Sequence, residues 1–518
     1  MIYLTKTTEK MPDSIFKAVS VGRAYELLRY EHFEQFRKLQ KEIGFEYVRF
    51  HGLFHDDMGI VIKDNNGNIH YRWHNIDKAF DSLKEINIKP IVQLGAMPIV
   101  LAEGSQTTFW WKMHVSRPKD YKEWYNLVYA FVSHVVDRYG LEEVKKWYFE
   151  VWNEPNLKGF WPHGMEEYYA FLYTYAAKAV KAVSSELRVG GPATAGGSYI
   201  KETIDYCTKN NVPLDFITTH AYPIGEYCEY PDREQSPYEL GRYFVGRFKE
   251  VYDIIKNSSR PDLEIHWTEW NTQSANSSKN ITWIFNPTVD LHYGASCVVK
   301  EMLSVMKLCD SAAYWVVSDL FEESGPKHTP FSCTYGLMTI DGIPKATYNA
   351  YKLLRKLRGN IMEATFDTKP PLFCDVCATE ENDITRVIVY NHNALEVNNQ
   401  SDFTDKVSFE VKEDGAYIVT FVTIKEHKGS AYETWLEMGM PENISVVQQE
   451  MLEAHSIPKY DFEILDTINR RLEIGFILKP NEVLYIEVQK KAARAYLGNE
   501  NDKATSHLNS LLMLDKKV

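Results

Sequence analysis

The chain has no run of about 18 consecutive apolar residues, the length a membrane-crossing helix requires, and its opening, MIYLTKTTEKMPDS, lacks the apolar core of a secretion signal. The expectation is therefore a cytoplasmic protein, with no membrane partner, whose substrate is small enough to be imported. Cysteine is scarce and odd in number: seven residues, at 207, 228, 297, 309, 333, 374 and 377. That argues against a disulfide framework and for a reducing compartment. Cys374 and Cys377 form a lone C-x-x-C without the second pair or thioredoxin-like setting that zinc or redox chemistry needs, so a structural role is expected of them. Positive charge is also lacking. A net charge of −13 and a pI near 5.7 disfavour nucleic acid and anionic membranes as partners.

What is present is ordinary in most respects. Apolar residues make up 44% and charged residues 25% of the chain, close to the averages for globular proteins. Aromatics reach 14%, with 12 Trp and 33 Tyr, a load that suits sugar binding and equally suits the filling of a large core. At 518 residues the chain exceeds the size at which single cores stop growing, roughly 250 to 300 residues, so one large domain and a smaller one are expected.

Between about residues 16 and 317, short β-rich runs alternate with longer helical patterns. The runs are FKAVSVG, EYVRFHG, KPIVQLG, KWYFEVWNE, LRVGGPA, LDFITTHAY, LEIHWTEW and SAAYWVV. Stretches such as YEHFEQFRKLQKEIG and YKEWYNLVYAFVSHVVDRYG repeat apolar residues at three and four positions and end in Gly, as amphipathic helices do. Eight strands with intervening helices, and a last helix in ATYNAYKLLRKLRG, give the count of an α/β (β/α)8 TIM barrel over residues 14–358. A doubly wound open sheet is the alternative, weakened by the lack of a Gly-rich phosphate fingerprint after the first strand. The pairs Gly190–Gly191 and Gly196–Gly197 read as tight barrel packing rather than as a phosphate site. After Gly359 the runs become shorter and alternating, as in ITRVIVYNH, AYIVTFVTI and RLEIGFIL, which predicts an accessory all-β domain, a β-sandwich, over 359–491. Residues 1–13 are able to add a strand to it, and 492–518 form a polar tail or a short docked helix.

In such a barrel the side chains at the C-terminal strand ends converge on one pocket. Here those positions are His51 after the second strand, Asn153 and Glu154 after the fourth, His220 and Tyr222 after the sixth, and Glu269 and Asn271 after the seventh. Asp319, Glu322 and Glu323 follow the eighth. Two carboxylates on strands four and seven suit glycoside hydrolysis, which needs an acid on one side of a bond and a nucleophile or base on the other. Pro155 stops the strand and aims Glu154 inward. Trp152, Phe160 and Trp161 would desolvate that acid, and Tyr222 or His220 would donate to Glu269 and keep it ionised. The blander alternative makes Glu154 an exposed turn residue and Glu269 half of an ion pair. The joint occurrence of WNEPN and TEWN at these two strand ends argues against it. HDD (55–57), with His51 and His220, lacks the two closely spaced histidines of barrel metalloenzymes, so neither metal nor cofactor is expected. Trp110, Trp111, Phe160 and Trp161 are either a stacking wall around a sugar or loop packing.

The segments FEVWNEPNLKGFW, FITTHAY, IHWTEWNT, AYWVVSDLFEE and YGLMTIDGIPKATYNAYKLL resemble those of glycoside hydrolase family 39, and HGLFHDDMGI, GSQTTFWW and ETWLEMGMP are closer to its bacterial β-xylosidases. The resemblance covers nearly the whole chain except the last two dozen residues. It implies a retaining double displacement on a barrel with a β-sandwich, with Glu154 matching the acid/base and Glu269 the nucleophile. Asn153 resembles the residue that binds the 2-hydroxyl. His51, His220, Tyr222, Trp315 and one of Glu322 or Glu323 resemble the sugar-subsite lining. The segment 223–240 matches poorly, which leaves the leaving-group preference open. The expectation is an exo-acting β-xylosidase releasing xylose from a small oligosaccharide. The same chemistry on an α-L-arabinopyranoside, β-galactoside or α-L-iduronide, or a non-catalytic carbohydrate-binding barrel, are the alternatives. An iduronide would ask for a Lys or Arg, and the strand ends named above hold none. Members of the family are often oligomeric, which implies a homo-oligomer.

Overall fold

The computed structural model describes the chain except residues 223–242, 273–288, 322, 394–400 and 493–518. After β1 (Ile2–Lys10) come eight strands: β2 (Ala18–Arg23), β3 (Tyr47–His51), β4 (Lys89–Leu94), β5 (Tyr148–Val151), β6 (Arg188–Ala195), β7 (Phe216–Ala221), β8 (Glu264–Trp270) and β9 (Ser311–Trp315). Each pairs in parallel with the next, and β9 returns to β2 through Tyr314 opposite Val19 and Trp315 opposite Ser20. The barrel is closed in chain order. An open doubly wound sheet is thereby excluded, since its strand order must reverse.

The helices form as their sequences direct. In α1 (Tyr30–Glu42) His32, Gln35, Phe36 and Leu39 make one buried stripe at helical spacing. Then comes α2 (His74–Glu85), followed by α3 (Tyr121–Tyr139), which starts at an Asp120 side chain accepting from Lys122 N and stops at Gly140, in the left-handed region. The remaining barrel helices are α4 (Thr174–Val183), α5 (Ile200–Asn210), α6 (Tyr243–Lys256), α7 (Tyr293–Val305) and α8 (Ala346–Leu354). Among the described residues no helix is long and apolar enough to cross a membrane.

Strand alternation sorts the barrel interior into layers. The lower layer is apolar and aromatic: Ala18, Tyr47, Ile91, Tyr148, Phe216 and Ala313. Two residues further along β3 and β5 come Arg49 and Glu150, both fully buried. Two more bring His51 to the barrel mouth. The polar mouth therefore stands on a floor of mostly apolar and aromatic side chains, with His266 packed against Tyr148 and Phe216.

The second sheet has nine strands in the order β15-β14-β17-β12-β11-β10-β1-β13-β16, where β10 is Asn360–Phe366, β11 Cys374–Glu381, β12 Ile384–Asn391, β13 Phe403–Glu410, β14 Gly415–Ile424, β15 Lys459–Thr467, β16 Arg471–Leu478 and β17 Val483–Lys490. Only β1 and β13 pair in parallel. The ladder folds over one apolar cluster that includes Ile2, Val387, Phe409, Val419, Ile474 and Ile486, which makes it a sandwich. Cys374 and Cys377 lie three apart on β11, so the pleat sends them to opposite faces: Cys374 packs in the sandwich core and Cys377 against the barrel's cluster. An insertion between β14 and β15 holds α9 (Tyr432–Glu437) and α10 (Val446–His455), which pack on barrel residues Phe331, Cys333 and Ile343.

Gly190 on β6 is a packing glycine. A Cβ there would lie 2.3 Å from the Phe216 carbonyl oxygen on β7. Gly190→Ala is expected to force the two strands apart and to cost about 2 kcal/mol or more, read as a lower urea midpoint at unchanged m-value; an unaltered midpoint would contradict this packing.

Candidate active site

The fourth strand run ends earlier than its sequence suggests: β5 stops at Val151, and Trp152 and Glu154 both take positive φ, +69° and +43°. For residues with a Cβ this conformation is costly and survives only where surroundings impose it. Here they do. Trp152 Nε1 donates to the Phe160 carbonyl (3.0 Å), Glu154 N donates to Ala193 O at 2.8 Å, and Asn156 grips the end of β6 through both polar atoms, donating to Ala195 O (3.2 Å) and accepting from Ala195 N (3.0 Å). Pro155 prevents extension of the strand. The result turns the Glu154 side chain into the barrel mouth.

There Glu154 Oε1 shares a hydrogen bond with His220 Nδ1 at 2.9 Å. Glu269, at the end of β8, accepts from the Tyr222 hydroxyl at 2.7 Å and from Arg49 Nη1 at 2.5 Å. Of the two donors expected for Glu269, Tyr222 fills the role; His220 Nδ1 stands 3.7 Å from Glu269 and serves Glu154. One oxygen of Glu154 and one of Glu269 lie within 4.8 Å of each other, with His220 between them. Arg49 reaches further: Nε and Nη2 both donate to Glu150 Oε1 (2.9 and 2.8 Å), and Nη2 also donates to Asn153 Oδ1 at 2.7 Å. Asn153 thus presents its NH2 to the pocket. The Thr268 hydroxyl completes Glu150, at 2.7 Å.

The wall is aromatic. His51 stacks on Trp315 with centroids 5.2 Å apart and lies beside Phe109 (5.4 Å) and Trp111 (5.6 Å). Among the described residues His51 Nδ1 and His220 Nε2 have no hydrogen-bond partner although both are buried. Burial, reinforced by Arg49, pushes the His51 imidazole well below its usual range. Burial likewise lowers His220 to about 4 despite Glu269 beside it. Both rings are neutral at neutral pH and offer hydrogen bonds rather than charge. Burial, with the Glu154 carboxyl beside it, holds the Glu269 carboxyl above its usual range, although Arg49 and the Tyr222 hydroxyl offset part of the rise.

The predicted residues Glu154, Glu269, His51, Asn153, His220, Tyr222, Trp315 and Glu323 all come to this mouth; Glu322 lies outside the described residues. Others named at strand ends do not serve it directly. Asn271 Nδ2 donates to the Trp315 and Tyr335 carbonyls, and Asp319 pairs with Lys345. In the HDD segment Asp57 pairs with Arg23, and His55 contacts Trp111 O at 2.8 Å. Trp110 is exposed at the rim, Trp111 lines the wall, and Trp161 packs against Trp152. Glu154, His220 and Glu269 could together ligate a metal ion, but the guanidinium on Glu269 already supplies the positive charge there. Arg49 was not singled out from sequence, and neither was Arg23 at the end of β2. Both are engaged by carboxylates, Arg49 by Glu150 and Glu269, Arg23 by Asp57 and Glu26.

Comparison with known proteins agrees with this architecture. A family model described as Glycosyl hydrolases family 39 matches residues 1–467. A β-xylosidase of Caldicellulosiruptor saccharolyticus is 36% identical over 478 residues, covering 91% of this chain and 94% of that protein. One from Geobacillus stearothermophilus is 32% identical over 501 residues, covering 94% and 95%. The crystal structure of a monomeric β-xylosidase from Caulobacter crescentus CB15 superposes with a TM-score of 0.83 at 30% identity, covering 95% of this chain and 99% of that one.

Glu323 adds a third carboxyl to the mouth. Burial, then the charges of Glu269 and Glu154, push it up to about 8. An unfolded chain releases this proton near 4.5, so the folded state binds more protons between the two values and stability falls as pH rises through that window. Glutamine does not titrate. The melting temperature of Glu323→Gln relative to the parent is expected to climb between about pH 5 and about pH 8; a difference independent of pH would show that Glu323 is not held protonated.

Proposed function

The chain belongs to glycosyl hydrolases family 39, and from that membership we propose that it is a retaining, exo-acting β-xylosidase, releasing xylose from the non-reducing ends of small xylo-oligosaccharides. The observation that carries the mechanism is the pair Glu154 and Glu269, facing each other from the turn after β5 and the end of β8 with oxygens within 4.8 Å. Retaining enzymes hold their carboxyls about 5 to 5.5 Å apart, whereas inverting ones leave about 6.5 to 9.5 Å for a water. The choice of xylose rests on the relatives, both of which carry the name β-xylosidase.

In the first step Glu269 attacks the anomeric carbon while Glu154 protonates the departing glycosidic oxygen, and a covalent glycosyl-enzyme forms. In the second, Glu154 takes a proton from water, the water attacks the same carbon, and Glu269 leaves. The surroundings suit these roles. Arg49 and Tyr222 both donate to Glu269, which fixes its oxygens and favours the ionised form of a buried nucleophile. Glu154 instead shares a hydrogen bond with a neutral imidazole, His220, which orients its proton. Asn153, His51 and His220 each present a nitrogen to the sugar hydroxyls. Trp315 and its neighbours supply an apolar ring face.

Two substitutions test the roles. In Glu269→Gly, azide is expected to restore turnover of an aryl xyloside and to yield the α-xylosyl azide; no rescue would remove Glu269 from the nucleophile's place. In Glu154→Ala, xylobiose hydrolysis should fall about 10²- to 10⁴-fold while aryl xylosides with good leaving groups lose far less in the glycosylation step. Equal losses on both would sink its acid role. A panel of nitrophenyl xyloside, arabinopyranoside, galactoside and iduronide decides the sugar.

A further inference from the structure

The ETWLEMGMP segment plays no part in the pocket as described, yet its fold ties it there. It forms α9, in the insertion between β14 and β15 of the sandwich. Glu433 in its first turn is buried, accepts from Ser430 Oγ at 2.6 Å and shares a hydrogen bond with His292 Nδ1 at 3.0 Å. A buried carboxylate adds little stability by itself, because its desolvation offsets most of what pairing returns. Its partner His292, however, belongs to the barrel, just before α7 and two residues from Asp290.

From Asp290 the contacts run inward without a break. Its carboxylate accepts from Cys333 N (2.8 Å) and pairs with Lys345 Nζ (2.5 Å). Lys345 also pairs with Asp319 (2.7 Å) and donates to the Thr334 carbonyl (3.0 Å). Asp319 Oδ1 accepts from Gly336 N at 2.8 Å. A side chain at Gly336 would come within 2.4 Å of Asp319 N, so this approach admits glycine only. Tyr335 is thereby clamped from both sides, and packs with Trp315, Val316 and Phe321. Its ring lies 6.4 Å from that of Tyr222, the donor to Glu269. It lines a small cavity together with Glu323. A second set of contacts runs in parallel: Phe331, two residues before Cys333, is held between Tyr432 and Trp435 of the insertion, each with ring centroids 5.6 Å away.

We propose that Glu433 is a positioning residue for the pocket: through His292, and through the Asp290–Lys345–Asp319 chain that His292 anchors, it sets the loop carrying Glu323 and Tyr335, and so tunes sugar affinity from the sandwich side. The inference rests on the glycosidase reading of the pocket.

The test is a kinetic cycle on the full-length chain with nitrophenyl xyloside. In Glu433→Gln, KM is expected to rise about three- to tenfold with kcat within about twofold, the signature of lost uniform binding. When the same change is made in Glu323→Gln, the further rise in KM should be absent, because the group being positioned is already lost. His292→Gln cuts the same link from the barrel and should reproduce the rise, which covers the case in which Glu433→Gln does not fold. Wild-type KM in both single variants, or factors that simply multiply with that of Glu323→Gln, would overturn the positioning role. Failure of the parent enzyme to cleave any nitrophenyl glycoside would instead overturn the reading of the pocket.

Discussion

The guanidinium of Arg49 is the constraint from which the pocket follows. It is fully buried in the middle layer of a closed barrel, where an isolated charge would be prohibitive. Glu150 and Glu269 offset that cost and hold the group even more firmly protonated than an ordinary arginine. Because a guanidinium is planar and its donors point in fixed directions, its partners are placed as well as paired. One edge takes Glu150, and the other reaches Glu269 and Asn153. A single cation therefore sets the position of the carboxylate on β8 and of the amide beside Glu154 on the turn after β5. Strands that are 101 to 220 residues away in sequence are referenced to one point.

Charge balance at the mouth follows from the same arrangement. Glu154, Glu269 and Glu323 at the mouth and Glu150 beneath it share the space with one guanidinium and two neutral imidazoles, and Lys327 lines the small cavity beside Glu323. Were all four ionised, negative charge would predominate in a desolvated cavity. Protonation of Glu323 below about 8 relieves part of it. What remains is an excess of carboxyls, beside which Lys327, on the same small cavity as Glu323, brings a second cation. Such a mouth suits a neutral sugar, and it suits the oxocarbenium character of the proposed transition state, where positive charge appears beside Glu269.

Much of this was legible in the sequence because barrels obey simple periodicities. Eight β-rich runs separated by amphipathic helices fixed the count, and the C-terminal ends of the second, fourth, sixth and seventh runs pointed to side chains that the structure brings to the mouth. Arg49 escaped because it lies two residues inside the end of β3. The alternation of Tyr47, Arg49 and His51 on the inward face was the available signal: an arginine at an inward position of a parallel strand needs buried partners, and carboxylates are the natural ones. The partners themselves were not legible. Which of Glu150, Glu154 and Glu269 meets Arg49, and which meets His220, depends on barrel closure and on register shifts such as the one between Thr219 and His220 against β8. The positive φ of Glu154 was equally hidden, since Pro155 predicts a stop but not the direction of the turn.

The sandwich is more than an appended module, and its sheet explains why. Along β12, Val387 and Val389 face the sandwich core, while Ile388 and Tyr390 join the barrel's own cluster. On β17, Leu484 and Ile486 divide from Val483 and Tyr485 in the same way. A sheet that buries both faces cannot slide on its neighbour without opening two cores, because close-packed interiors offer no continuous path of small adjustments. The insertion bearing α9 starts from β14, whose Val422 and Ile424 belong to the barrel's cluster. It is fastened again where Asn349 of α8 donates to the carbonyls of Gly429 (3.1 Å) and Ser456 (2.7 Å). Glu433 therefore meets His292 from a rigid base. Rigidity of that base is what allows a contact outside the barrel wall to matter at its mouth.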